Sequence, residues 1–318
     1  MASERGLKIG NLILDNDLVM PAVAGYSDVG QRVLAYRYGA ALAHTEMISA
    51  KGLVYGSDNT AALLATDPRE KILAVQLFGS EPEFIAKAVK HPAVKKFELI
   101  DLNFGCPVPK IVRNGEGSAL MRDPVRLKEV VAAAVESAGD RPVTAKIRAG
   151  FSGEERNAPE IAAVIESAGA AAVTVHGRTR DMYYSGKSDR GIIKRVKESV
   201  SIPVIANGDV TDRDSYLRTL EETGADGVAV ARAAMGRPYI FAELGGETPL
   251  IDRGALIKEH FEIISAVMPE KVAVNCMKKH IAAYAYGLRG GKELKLKAFA
   301  ATSAEDIYGV AEDFSRLS

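Results

Sequence analysis

Two cysteines occur in this chain, and they keep very different company. Cys106 lies in Asn103-Phe104-Gly105-Cys106-Pro107, flanked by glycine and proline, the two strongest punctuators of backbone geometry. A thiol fixed in this way can be aimed at one atom, and a protonated thiol beside a developing carbanion is a general acid. The other role open to a free cysteine is core packing. Cys276, inside an apolar helical pattern, fits that role, and Cys106 fits it poorly.

Further residues with chemical capacity stand at the ends of short apolar runs. They are Glu46, Gln76, Asn103, Lys146, His176, Asn207-Gly208-Asp209 and Ala231-Arg232. Taken singly, each has a plain reading as a solvated lysine, a hydrogen-bonded packing histidine or half of an ion pair. Together they exceed coincidence, because lysine and glutamine within such apolar runs are costly to bury without partners. The segments Asn207-Gly208-Asp209 and Arg232-Ala233-Ala234-Met235-Gly236 add a phosphate signal, since backbone N–H groups after the last strands of a barrel often bind phosphate. No CxxC or Cys/His cluster exists, so no metal site is expected.

The elements that must position these residues follow from periodicity. Apolar runs end near Val23, Thr45, Leu77, Leu102, Ile147, Val175, Ala206 and Val230. Several are almost continuously Val, Ile, Leu or Ala, as in strands of a parallel sheet buried on both faces. Helical patterns alternate with them. Asp123-Pro124 reads as an N-cap with proline at the first helical position, and Thr211 with Asp214 as a capping box. Eight such units predict an α/β fold, a (β/α)8 TIM barrel. Leu7 to Leu14 reads as a short hairpin closing its bottom. An open doubly wound sheet is the rival, disfavoured by the strand count and the lack of GxGxxG. Beyond Gly245 the alternation stops. Ile257, Phe261, Ile264 and Met268, then Met277, Ile281 and Tyr284, then Ile307, Val310, Ala311 and Phe314 behind a Ser303 cap, predict a small helical domain. The expected division is a catalytic barrel over 1–245 and a helical domain over 246–318.

Composition narrows the function classes. The 318 residues are 47% hydrophobic and 26% charged, ordinary for a globular protein. No run of about 18 apolar residues suggests a membrane span. Two cysteines and an N-terminus, Met1 to Gly6, without a signal-peptide core lead to the expectation of a cytoplasmic protein. Zero formal net charge means that any nucleic-acid contact must rest on a local basic patch. Lys278, Lys279, His280, Arg289, Lys292, Lys295 and Lys297, with Glu293 the one acid interspersed, form such a patch.

The motifs resemble those of the tRNA-dihydrouridine synthase family. The resemblance rests on Asn103-Phe104-Gly105-Cys106-Pro107, Lys110, Gly115-Glu116-Gly117-Ser118-Ala119-Leu120, His176-Gly177-Arg178-Thr179-Arg180 with Tyr184 and Gly186, and Ile205-Ala206-Asn207-Gly208-Asp209. It runs from about Met20 to Phe314, and Lys278-Lys279-His280 with Tyr284 and Gly287 looks like the family's tRNA-contacting helix. Pro21-Ala22-Val23-Ala24-Gly25 stands where the family usually has Ala-Pro-Met-Ala-Gly, and Ala231 where a glycine is usual. The resemblance implies bound FMN, reduced by NADPH or NADH. Ala22, Val23, Gln76, Lys146 and His176 would lie against the flavin. Asn207, Gly208, Asp209, Ala231 and Arg232 would hold its phosphate. Asn103 and Arg178 would face the target uracil, and Lys278, Lys279 and His280 would contact tRNA. Hydride would reach C6 of a uridine and Cys106 would protonate C5, in a protein expected to act as a monomer. Two other classes remain open: an FMN oxidoreductase of a free pyrimidine, like dihydroorotate dehydrogenase, and a non-catalytic barrel binding RNA or phosphate ligands.

Overall fold

Alternation along the strands decides which side chains face the barrel axis. The computed structural model describes residues 6–317, so Met1 to Arg5, read above as part of a leaderless N-terminus, lie outside it. A hairpin of β1 (Lys8–Ile9) and β2 (Leu12–Ile13) precedes the barrel. Eight parallel strands then close in chain order: β3 (Leu18–Met20), β4 (Leu42–Ser49), β5 (Leu73–Phe78), β6 (Leu99–Asn103), β7 (Val143–Arg148), β8 (Ala172–His176), β9 (Val204–Asn207) and β10 (Gly227–Ala229). β10 pairs back onto β3, which confirms the barrel and excludes the open sheet.

Outward-facing Val75, Leu77, Ile100, Leu102, Ala145, Ile147, Val173 and Val175 bury against the surrounding helices. Inward positions are layered. At the bottom, Val19, Leu42, Ala74, Leu99, Ala172, Ile205 and Ala229 pack with Leu7, Ile9 and Leu14, so the hairpin is the expected plug. Above them the axis turns polar, with Gln76 beside Asp101 and Asp101 beside Thr144. At the mouth, Asn103 is beside Lys146 and His176 beside Asn207. Glu46, expected just after the second strand, lies within β4, which continues to Ser49 through a register shift between His44 and Met47.

Local capping follows the sequence in one place and shifts in another. Asp123 accepts the Arg126 N–H at 3.0 Å and starts the helix Pro124–Ala138, as expected. The expected capping box sits one residue later, at Asp212 and Ser215. Asp212 caps the helix Arg213–Thr223 by accepting the Ser215 N–H at 2.7 Å, while the Thr211 hydroxyl bonds to Asp212 itself.

After the helix Ile240–Gly245 come four helices, Arg253–Ser265, Glu270–Tyr284, Gly291–Ala300 and Ala304–Ser315, the last capped by Ser303. Met268, expected in the first of them, falls in the turn that follows it. Their core takes in Val29, Val33 and Leu34 from the barrel helix Val29–Arg37, so the helices are seated on the barrel flank. A polar join reinforces this seat. Asp28 caps that barrel helix by accepting the Gln31 N–H and meets His260 Nε2 at 2.9 Å and His280 Nε2 at 2.6 Å. Among the described residues no helix is long and apolar enough to cross a membrane.

Candidate active site

A cavity of about 1430 Å³ opens at the C-terminal ends of the strands. It brings together Ala22, Val23, Asn103, Cys106, Lys146, His176, Asn207, Gly208, Asp209, Ala231 and Arg232, all singled out from sequence. The closed barrel explains the convergence, because the strand ends of one rim must face one space.

The cysteine loop is positioned by a chain of buried hydrogen bonds. Asn103 Oδ1 accepts the N–H groups of Gly105 and Cys106 at 3.1 and 2.9 Å. Asn103 Nδ2 donates to Gln76 Oε1 at 2.7 Å, and Gln76 Nε2 donates to Asp101 Oδ2 at 2.6 Å. Thr144 Oγ1 donates to the other Asp101 oxygen at 2.7 Å. Gln76, expected against the cofactor, is 1% exposed and does not line the cavity; it holds Asn103 from below. On the far side, Arg148 Nε donates to Gly105 O at 2.7 Å, and Ser118 donates its N–H and hydroxyl to Cys106 O. A side chain at Gly117, which has φ +59°, would meet Cys106 Cβ at 3.0 Å, so the loop closes only with glycine there.

Replacing Asp101 with asparagine is expected to cost about 1–2 kcal/mol, because a charged acceptor of two buried hydrogen bonds becomes neutral and its N–H₂ must face the Gln76 amide or force the Thr144 hydroxyl to turn and accept. Urea unfolding of the two proteins at pH 7 measures this, and equal midpoints would show that the network is not holding the barrel mouth.

Electrostatics divide the titratable groups by role. Burial raises the Cys106 thiol above its ordinary range; the Val108 N–H, Arg148 and Lys146 pull it back only in part. The resting group is therefore the protonated thiol. Burial lowers Lys146 to about 8, with Arg148 adding repulsion and Asp101 a weaker opposing pull. Both Asp101 oxygens are already taken, and no ion pair reaches the Lys146 ammonium among the described residues. Burial, followed by repulsion from Lys146, Arg148, Arg178 and Arg232, drives His176 far below its usual range, so its imidazole is neutral.

Arg178, expected to face a substrate, is placed by the structure just behind the cavity wall. It is 2% exposed and absent from the cavity wall. It grips Asp209 through both carboxylate oxygens at 2.8 and 2.9 Å and donates to the carbonyls of Ser185 and Gly186. Burial alone would raise the Asp209 carboxyl, but Arg178, the Ser188 N–H and Arg232 outweigh it and hold the group below its ordinary range. Arg178 thus fixes the turn at Gly208 and Asp209, with φ of +127° and +56°, and the loop carrying Tyr184. Arg148, not singled out from sequence, lines the cavity beside Cys106 and Lys146. Its signal was alternation, since Thr144, Lys146 and Arg148 fall on one face of β7. The Arg148 and Arg232 guanidinium carbons lie 5.9 and 5.2 Å from the Tyr184 ring centroid.

His280 also departs from expectation. Its ring is 0% exposed and faces Asp28, so it joins the helices to the barrel and cannot touch a macromolecule. Lys278 and Lys279 on the same helix keep partial exposure. The Lys279 ammonium lies 6.0 Å from the Tyr26 ring centroid and close to Gly25, next to the cavity-lining segment Pro21 to Ala24.

Comparison with known proteins identifies the family. The sequence profile described as "Dihydrouridine synthase (Dus)" matches residues 18–316. The "Probable tRNA-dihydrouridine synthase" of Rickettsia conorii is 37% identical over 301 residues, covering 91% of this chain and 90% of that one. The "tRNA-dihydrouridine synthase B" of Shewanella oneidensis is 37% identical over 287 residues, covering 87% and 89%. In fold, the chain is similar to an old yellow enzyme homologue from Zymomonas mobilis, with TM-score 0.55 and 13% identity over 77% of this chain and 93% of that one. The chain belongs to the dihydrouridine synthase family, whose tRNA-dihydrouridine synthases are oxidoreductases.

Proposed function

We propose that the protein reduces the C5–C6 double bond of a uridine in tRNA, with FMN as resident cofactor, NADPH or NADH as reductant and Cys106 as acid. The observation that carries this reading is a thiol fixed by Asn103 and Ser118 in one cavity with a lysine that has no ion pair among the described residues. The residues present fit an anionic flavin. Lys146, Arg148, Lys187, Arg190, Arg218 and Arg232 line the cavity against Asp189, Asp209 and Glu222, an excess of positive charge. Asn207, Gly208, Asp209, Ala231 and Arg232 would hold the phosphate, and Ala22, Val23, Lys146 and His176 the ring system. When bound and reduced, FMN supplies hydride to C6 of the uracil.

The protein's part is orientation and proton delivery. Cys106 gives its Sγ proton to C5, forming the C5–H bond. The thiolate left behind is stabilised by the Val108 N–H, Arg148 and Lys146, and solvent returns its proton. Asn103 and Arg148 line the wall beside Cys106 and are placed to position the base. A neutral His176 can hydrogen-bond without competing as a proton donor of low pKa. The base must leave its stack to enter such a cavity, so Lys278 and Lys279 are assigned to the tRNA backbone.

Binding to tRNA is expected to weaken about linearly in log–log terms with salt; filter retention at two salt concentrations checks this, and equal affinities would remove the basic surface from the account. The free-pyrimidine reading makes a different prediction. Anaerobically reduced holoenzyme should be reoxidised by unmodified tRNA and hardly at all by free uridine or orotate. The reverse order would favour the alternative.

A further inference from the structure

The helix Gly291–Ala300 buries Gly291, Leu294 and Ala298 and turns its opposite face to solvent. On that face Lys292, Leu296 and Phe299 stand at i, i+4 and i+7, one stripe of a helix, with Lys295 beside them. Leu296 is 62% and Phe299 58% exposed, in a segment whose other large apolar side chains mostly pack into the helical core. At the start of the stripe, Gly291 abuts the Ala285 carbonyl, which brings Tyr286, 82% exposed, to the same end of the helix. Arg289, Lys292 and Lys295 have no ion pair among the described residues, whereas Lys297, off the stripe, is bound to Asp313.

An exposed aromatic and aliphatic strip bordered by unpaired cations has the composition of a stacking platform. Rings take the face of an unpaired base while the cations meet its phosphates. The stripe is three side chains over about 10 Å of helix, a patch much smaller than the surface a stable dimer buries. We infer that Phe299, Leu296 and Tyr286, flanked by Arg289, Lys292 and Lys295, form a second contact with tRNA, stacking on an unpaired nucleotide away from the barrel mouth. This rests on the tRNA reading above and adds an aromatic contact to the charges that reading used.

The chain contains no tryptophan, so Phe299→Trp introduces a single indole into the intact holoenzyme. Unmodified tRNA is expected to quench its emission in step with binding measured separately by filter retention. Phe299→Ala is expected to weaken tRNA affinity by about 5- to 100-fold, while flavin reduction by NADPH in the absence of tRNA stays unchanged. Unaltered emission together with full tRNA affinity in Phe299→Ala would overturn the platform and leave the tRNA reading standing. Failure of the wild-type protein to bind tRNA at all would instead remove that reading. Sedimentation showing a wild-type dimer that Phe299→Ala dissolves would assign the strip to a second copy and also overturn the proposal.

Discussion

Cys106→Ala is expected to lower turnover on tRNA by about 10²- to 10⁴-fold, the usual contribution of a positioned general acid. Flavin content and tRNA affinity should change little, because the Asn103 contacts to this loop are made by backbone N–H groups that alanine keeps. The pH dependence has a definite sign. The acid is competent while protonated, and burial places the thiol above its ordinary range. In wild type the rate limb governed by Cys106 therefore falls only on the strongly alkaline side. Steady-state rates with dihydrouridine as readout, taken across pH on both proteins, test this. A variant within a few-fold of wild type at pH 7 would remove the acid role.

Lys146→Met should stabilise the flavin-free protein and at the same time weaken its hold on flavin. Folding carries the lysine from an ordinary ammonium near 10.5 to a site where burial lowers it to about 8. Since the folded-state value is depressed, charging the lysine opposes folding. Below about 8 the penalty is constant, at about 3 kcal/mol. From there to the free-lysine value the unfolded chain binds more proton than the folded one, so wild-type stability rises with pH. Methionine keeps most of the length of the side chain, one heavy atom short, without the charge. Urea unfolding of the apoproteins should show the variant ahead by about 3 kcal/mol at pH 7 and by progressively less toward pH 10. A wild-type protein more stable than Lys146→Met at pH 7 would mean that a partner compensates the ammonium. The same charge is useful only with an anion in the cavity, a cost to stability that function explains.

Much of this was legible in the sequence because the outward-facing residues of a parallel barrel make apolar runs. Val75 and Leu77, Ile100 and Leu102, or Val173 and Val175 mark strands whatever lies between them. Polar residues ending those runs then had to meet at one rim, which is why Asn103, Cys106, Lys146, His176 and Asn207 were found. What lay one layer deeper was hidden. Asp101 and Thr144 sit inside apolar runs and show their role only when the register sets Gln76, Asp101 and Thr144 side by side. Gln76 and Arg178 were placed in the site, yet both act on it from behind. Chain position cannot separate a residue that lines a cavity from one that anchors the residue lining it. His280 misled for a similar reason. Its neighbours Lys278 and Lys279 are partly exposed, but one position on, the helix turns inward and meets Asp28, some 250 positions earlier in the chain.

Reduction of a uridine within tRNA by this cavity can be read directly in the product. Unmodified tRNA should be incubated with flavin-loaded protein and NADPH, digested to nucleosides and examined by mass spectrometry. A uridine-derived nucleoside heavier by two hydrogens is expected, formed with wild type and nearly absent with Cys106→Ala. NADPH oxidation by wild type with no such nucleoside in the tRNA would contradict this reading.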